Sequence, residues 1–251
     1  MFLPNSSKFS NLKLNIFVGK NSPIEQVNQY KYLGLIIDDK LSWKAHIQYL
    51  KSKLSKALGL LFRVRRYLTK RSLLLLFHSL FNSHIQYGIL CWARCSKTAM
   101  QPLITLFNKA IKCINFKDFE NEDVLELMHK NKILHINELF KLELAKFMFR
   151  YVNRLLPTNF NNFFVPITSI HNYHTRASTN NFFIPRKNKH KGLSALGFLG
   201  ARLWSEIPNS IKIKSSLHSF TSNLRNHFLN NNHTLASTNN FSFLERKQKQ
   251  T

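Results

Sequence analysis

Ile47-Gln48-Tyr49-Leu50-Lys51-Ser52-Lys53-Leu54-Ser55-Lys56-Ala57-Leu58-Gly59-Leu60-Leu61-Phe62-Arg63-Val64-Arg65-Arg66-Tyr67-Leu68 is the stretch whose reading decides the fold. Ile47, Leu50, Leu54, Leu58, Leu61, Val64 and Leu68 recur three or four residues apart, the spacing of one apolar face of an α-helix. Lys51, Lys53, Lys56, Arg63, Arg65 and Arg66 fill the remaining faces, and Lys70 and Arg71 follow. A helix of this kind buries leucines on one side and offers a row of cations on the other. Asp39 or Ser42 is expected to cap its start.

Downstream the helical pattern continues. Thr69 is placed to cap a second helix through Leu73, Leu76, Phe77, Leu80 and Phe81. Tyr87 to Trp92 is almost wholly apolar and predicts burial, and Leu103, Phe107, Ile111 and Ile114 mark another helix face. The acidic cluster Glu120 to Asp123 suits the start of a short helix. Asn137 is the expected cap for a helix over 138–155, stopped by Pro157. Two more helices are predicted over 196–204 and 217–229. Upstream, residues 12–18 alternate with a period of two, residues 19–23 carry turn chemistry, and 24–27 and 30–37 read as strands. The predicted fold is therefore mainly α, with a small N-terminal antiparallel β hairpin or sheet, a helical bundle and an irregular C-terminal region. It divides into a β unit (1–40), a basic helical domain (41–117), a helical connector (118–157), a region of loops and short helices (158–229) and a disordered tail (230–251).

Lys plus Arg number 37 against 12 Asp plus Glu, a net charge of +25. No acidic residue lies between Lys40 and Lys117, nor between Leu144 and Ser205. Cationic surfaces without internal neutralisation call for a polyanionic partner, and nucleic acid comes first: RNA, DNA or an RNA–DNA hybrid. A basic amphipathic protein on anionic membranes is the alternative from another class. Three cysteines, Cys91, Cys95 and Cys113, form no disulfide framework, so a reducing intracellular setting, nucleus or cytoplasm, is expected. Cys91 and Cys95 read as core or half-buried thiols. Neither a signal peptide nor a transmembrane run is legible.

The candidate chemistry is sparse. Ile36-Ile37-Asp38-Asp39 resembles a metal-binding turn, but two-metal chemistry needs carboxylates converging from separate strands. The residues are better read as a strand end and helix cap, so no catalytic or metal-ligating residue is assigned. His171 and His174 are the densest histidine pair and have no carboxylate near them in sequence. The strongest candidate site is the basic surface Lys51, Lys53, Lys56, Arg63, Arg65, Arg66, Lys70 and Arg71, suited to successive phosphates and to holding a duplex without reading its sequence. Tyr49, Phe62 and Tyr67 either add contacts to sugars and stacked ends or pack in the core.

A set of blocks carries a resemblance. Tyr30-Lys31-Tyr32-Leu33-Gly34-Leu35-Ile36-Ile37-Asp38, followed by Leu41-Ser42-Trp43-Lys44 and His46-Ile47, resembles the block after the active site in non-LTR (LINE-type, jockey-like) retrotransposon reverse transcriptases. Tyr87-Gly88-Ile89-Leu90-Cys91-Trp92 is similar to that family's Tyr-Gly-x-x-x-Trp, with Ala93 where Gly is usual. His171-Asn172-Tyr173-His174-Thr175-Arg176, Gly200-Ala201-Arg202-Leu203-Trp204-Ser205-Glu206-Ile207-Pro208 and Ser216-Leu217-His218-Ser219-Phe220 match further blocks in order. The resemblance implies that 1–40 is a palm edge with Tyr32, Leu33 and Gly34 in a primer grip, and that 41–117 is thumb-like. The family's catalytic Tyr-x-Asp-Asp is expected upstream of Met1. This is then a truncated part of an RNA-directed DNA polymerase, lacking fingers and most of the palm and not an enzyme on its own. The whole family enzyme uses Mg²⁺; no cofactor is expected for this chain. A non-enzymatic RNA- or DNA-binding protein derived from such a fragment is the nearest alternative.

Overall fold

The computed structural model describes residues 17–18, 22–23, 25, 27–116, 123–170, 181–184 and 196–231. The fold is mainly helical with small antiparallel sheets at the N-terminal end, as the residue pattern predicts. The chain divides into two compact units, one of Met1–Gly88 with Cys95–Ala110, the other of Ile89–Arg94 with Ile111–Thr251.

The first unit opens with two hairpins. β1 (Phe17–Val18) pairs with β2 (Ser22–Pro23). β3 (Gln29–Tyr32) pairs with β4 (Leu35–Asp38), Tyr32 opposite Leu35 and Gln29 opposite Asp38. Two expectations change here. Of residues 24–27, Glu25 and Val27 are described, and neither lies in a strand. Residues 30–37 are not one strand but fold back at Leu33–Gly34, both in the left-handed region at φ 45° and 81°. A two-residue turn of that hand matches the twist of its strands; it usually announces itself as Asn-Gly, and Leu-Gly hides it.

α1 (Lys44–Val64) buries His46, Ile47, Leu50, Leu54, Leu58 and Leu61. Each fully buried leucine contributes about 1.5–3 kcal/mol relative to an exposed one. The helix start differs from expectation. The N-cap is Trp43, itself at φ 63° and without a side-chain cap; Asp39 does not cap the helix, and Ser42 Oγ reaches its first N–H, that of Lys44, only at 3.4 Å. Asp38 does the holding, its Oδ1 accepting from Ser42 N–H at 2.8 Å and its Oδ2 from Trp43 N–H at 2.7 Å. Burial pushes this carboxyl up, but those N–H groups, with the Ser42 hydroxyl and Lys40 N–H, outweigh it and hold it below its ordinary value. His46 Nδ1 accepts from Ile36 N–H at 3.3 Å and so ties α1 to β4.

Thr69 caps the next helix as expected, accepting from Ser72 N–H at 3.3 Å. It runs through α2 (Lys70–Leu76), a π-turn over Phe77–Asn82 and α3 (Ser83–Gln86). Leu73, Phe77, Phe81 and Ile85 are all buried and sit four apart. An α-helix of 3.6 residues per turn drifts roughly 40° for each step of four. The wider π-turn winds less per residue and cancels the drift, keeping the four side chains in line. Leu80, expected on the core face, is exposed in consequence. Phe77, Phe81 and Phe107 form the aromatic centre, with centroids 5.5 to 6.3 Å apart.

α4 (Ile89–Trp92), which belongs to the second unit, and α5 (Lys97–Ile114), whose residues are shared between the two, follow in the chain. The predicted face Leu103, Phe107, Ile111 and Ile114 is buried. The segment 87–92 is less so: Ile89 and Trp92 are buried, but Tyr87 is exposed, as is Cys91, against the expectation of a buried or half-buried thiol.

In the second unit, Asp123 caps α6 (Val124–Lys130), accepting from Val124 N–H at 2.7 Å. Asn131 Nδ2 donates to Asn115 Oδ1 at 2.9 Å and so joins the ends of α6 and α5. α7 (Ile136–Val152) is capped by His135, not Asn137, and ends before the predicted Leu155, which is exposed. The stop is not Pro157 but a left-handed turn at Arg154, φ 55°, where Leu155 N–H reaches Arg150 O at 2.8 Å and Arg154 N–H reaches Tyr151 O at 3.0 Å. α7 packs against α8 (Leu196–Glu206) and α10 (Leu217–Asn231), with the short α9 (Asn209–Lys212) between them in sequence. Phe149 stacks on Phe220 at 4.6 Å, and Phe220 lies 6.0 Å from Trp204. Residues 158–170 form two single-turn 3₁₀ helices, and Pro166 bridges to Phe182. The His171–Arg176 block, the acids Asp118 to Glu122, residues 12–16 and the tail from 232 lie outside the described residues.

Candidate nucleic-acid interface

At 100° per residue, Arg63 stands directly opposite Leu54 on α1; Lys56 is roughly 20° from Arg63 and Lys53 about 80°. All three are exposed. Lys53 to Arg63 spans about 15 Å of helix, enough to meet more than one phosphate. Lys51 is also exposed but lies roughly 120° from Arg63, on a flank beside the core. The predicted cations are thus all at the surface, half-buried or exposed, but they do not form one row. Arg65 lies over the ring of Phe62 at 4.8 Å, just past the helix end. Arg66 and Arg71 are exposed, while Lys70 is half-buried at the start of α2. Among the described residues, Lys51, Lys53, Lys56, Arg63, Arg66 and Arg71 pair with no carboxylate.

Lys31 joins this face, which spacing could not reveal, by way of Tyr49, an aromatic residue already set beside the basic surface by the sequence. Lys31 Nζ sits 5.5 Å from the ring centroid of Tyr49, and Lys53 Nζ sits 5.6 Å from the same ring. The tyrosine lets two cations approach each other by offering both its π-electron density. Lys31 comes from β3 and Tyr49 from α1, so only pairing of hairpin and helix makes the cluster.

Tyr32, Leu33 and Gly34 occupy the hairpin tip. Tyr32 and Leu33 are exposed. Because successive strand residues face opposite ways, Tyr30 and Tyr32 point away from the side on which Lys31 meets Tyr49. Gly34 has a backbone reason to be glycine: its φ is 81°, and a Cβ there would stand 3.3 Å from Tyr87 Cε1. The Tyr87 hydroxyl donates to Leu33 O and braces the tip. Gly88 likewise sits at φ 60° with Leu35 Cδ2 only 2.7 Å from where a Cβ would be. Tyr87 and Gly88 therefore serve the hairpin from 54 residues downstream of Leu33, a pairing absent from any local pattern.

No group of three or more His, Cys, Asp or Glu that could hold a metal ion occurs among the described residues. Nor is any helix among them long and apolar enough to cross a membrane. Compared with protein-family models, curated proteins and solved structures, the chain matches none.

Proposed function

We propose that this chain is a nucleic-acid-binding portion of an RNA-directed DNA polymerase of the non-LTR retrotransposon kind, the part that grips primer and template rather than the part that joins nucleotides. The observation that carries the reading is the solvent face of α1. Lys53, Lys56 and Arg63 project from a helix whose other side is anchored by buried leucines, within a stretch of sequence without a single carboxylate. Such a face attracts a phosphate backbone by counterion release and positions it without reading bases. The polymerase part of the reading rests on the ordered sequence blocks, above all Tyr30 to Asp38 leading into α1. The β3–β4 hairpin with its braced tip suits a structure laid against a primer end.

The test is fluorescence anisotropy of the full chain with a labelled RNA–DNA hybrid across a salt series. With roughly six phosphate contacts, affinity should fall about a thousandfold between ~50 and ~200 mM salt. A hybrid bound no more tightly at low salt than at high salt would overturn the reading. So would a chain that binds anionic vesicles in preference to nucleic acid.

A further inference from the structure

The second unit contains a cleft of about 690 Å³ at the end of α7, lined by Tyr151, Arg154, Phe160, Asn162, Asn181 and Phe182 among others. Sites for small organic groups fall in the range of roughly 300–1,000 Å³. We infer that this cleft takes one unpaired nucleotide of an RNA or DNA strand, the base against Phe160 and Phe182 and the phosphate at Arg154.

Four observations carry it. First, the rings are fixed. Phe160 stands edge-to-face on Phe147 at 5.5 Å, and Phe182 does the same on Tyr151 at 5.5 Å. The Tyr151 hydroxyl lies 3.0 Å from Asn161 O and from Phe164 O, and accepts from Phe164 N–H at 3.2 Å, so one phenol organises the wall. Second, amides sit beside the rings. Lys212 Nζ donates to Asn181 Oδ1 at 3.2 Å and orients that amide, and Asn162 is exposed at the mouth. Aromatic faces with amides at their edge are the means by which proteins hold splayed-out bases. Third, the charge is of one sign: every lining residue falls inside the acid-free span between Leu144 and Ser205, and Arg154 makes no ion pair among the described residues. Fourth, Arg154 closes α7 in the left-handed conformation at φ 55°, a place where glycine costs nothing and an arginine is strained. The arginine stands there against the backbone's preference.

The inference rests on the nucleic-acid reading for its polymer but not on the α1 face, and the two are separable. The full chain is titrated, at one salt concentration, with oligothymidylate, oligouridylate and an abasic strand of equal length. The two base-bearing strands should bind about tenfold more tightly than the abasic one, the worth of one stacked base. Arg154→Gly relieves the strained turn, so its melting temperature should hold or rise while its affinity for all three strands falls severalfold. Phe182→Leu should erase the preference for bases. Lys53→Glu with Lys56→Glu and Arg63→Glu should weaken all strands in proportion and leave the preference intact. Equal affinity for abasic and base-bearing strands overturns the cleft and leaves the α1 reading standing. A preference that survives in Phe182→Leu places the base elsewhere and overturns it too. Binding to none of the strands overturns the cleft, and the α1 reading then rests on the hybrid titration alone.

Discussion

Leu33 stands at φ 45° with 70% of its surface exposed, a leucine where a turn of this hand favours Asn or Gly. Leu33→Asn should therefore stabilise the chain by about 1 kcal/mol, read by denaturant unfolding. If that gain comes with weaker binding to a recessed primer–template, the side chain serves the partner; if affinity is unchanged, it does not. Gly34→Val should do the opposite, because a branched side chain meets both the left-handed backbone and Tyr87. Its melting temperature should drop, and an unaltered one would mean that neither the left-handed backbone nor Tyr87 constrains position 34. His46 gives a pH prediction. Burial holds its imidazole below the usual value of about 6.5. In the unfolded chain it takes a proton first, so the stability it contributes is complete above that value and is lost as pH falls through the lower folded pKa. His135 shifts the same way, by burial first, with Glu138 opposing and Lys141 assisting. Melting temperature should thus decline on acidification from about pH 7, and His46→Asn should remove part of the decline. A slope identical in that variant would mean that other groups carry it.

α1 is the element on which the proposed function turns. The triple reversal Lys53→Glu, Lys56→Glu and Arg63→Glu changes only the solvent face, so the fold should hold within about 0.5 kcal/mol for each site. Binding to a hybrid should weaken strongly, and the slope of log affinity against log salt should fall by about three. An unchanged slope would place the contacts on another element. Reversal at Lys51, on the helix flank, should cost less than at Lys56. The hydrophobic face of this helix was legible from Ile47 to Leu61, because i, i+3, i+4 spacing is a property of the chain alone; Val64, the last residue of the helix, is half-buried, and Leu68, predicted on the same face, lies past the helix end and is exposed. The π-turn over Phe77–Asn82 was not legible: spacing of four reads as a slightly drifting α-helix, and only packing against Phe107 selects the wider winding. The helix ends misled for a related reason. A helix end is held by whichever acceptors the fold brings to its free N–H groups, which made Asp38 the main anchor in place of Asp39 and ahead of Ser42, and His135 the cap in place of Asn137.

At the scale of the whole molecule, a net charge of +25 is spread over two compact units, so binding need not depend on one of them. The chain should bind primer–template and yet add no nucleotides in a primer-extension assay with Mg²⁺ or Mn²⁺. Asp38 is committed to the N–H groups of Ser42 and Trp43, so Asp38→Ala should cost about 1–3 kcal/mol of stability. Incorporation by the wild-type chain that vanishes in Asp38→Ala with Asp39→Ala would show that Asp38 and Asp39 form a catalytic turn and not an anchor.

The sequence by itself determined the helical class, the buried leucine face of α1 and the acid-free surface, since periodicity and charge are local and need no partner to be read. Tertiary structure alone decided that Lys31 shares Tyr49 with Lys53, that Tyr87 braces the turn at Leu33, and that Arg154, Phe160 and Phe182 line one cleft. Each of those joins residues from separate elements, and which elements meet depends on how their apolar faces pack together, which no local spacing encodes.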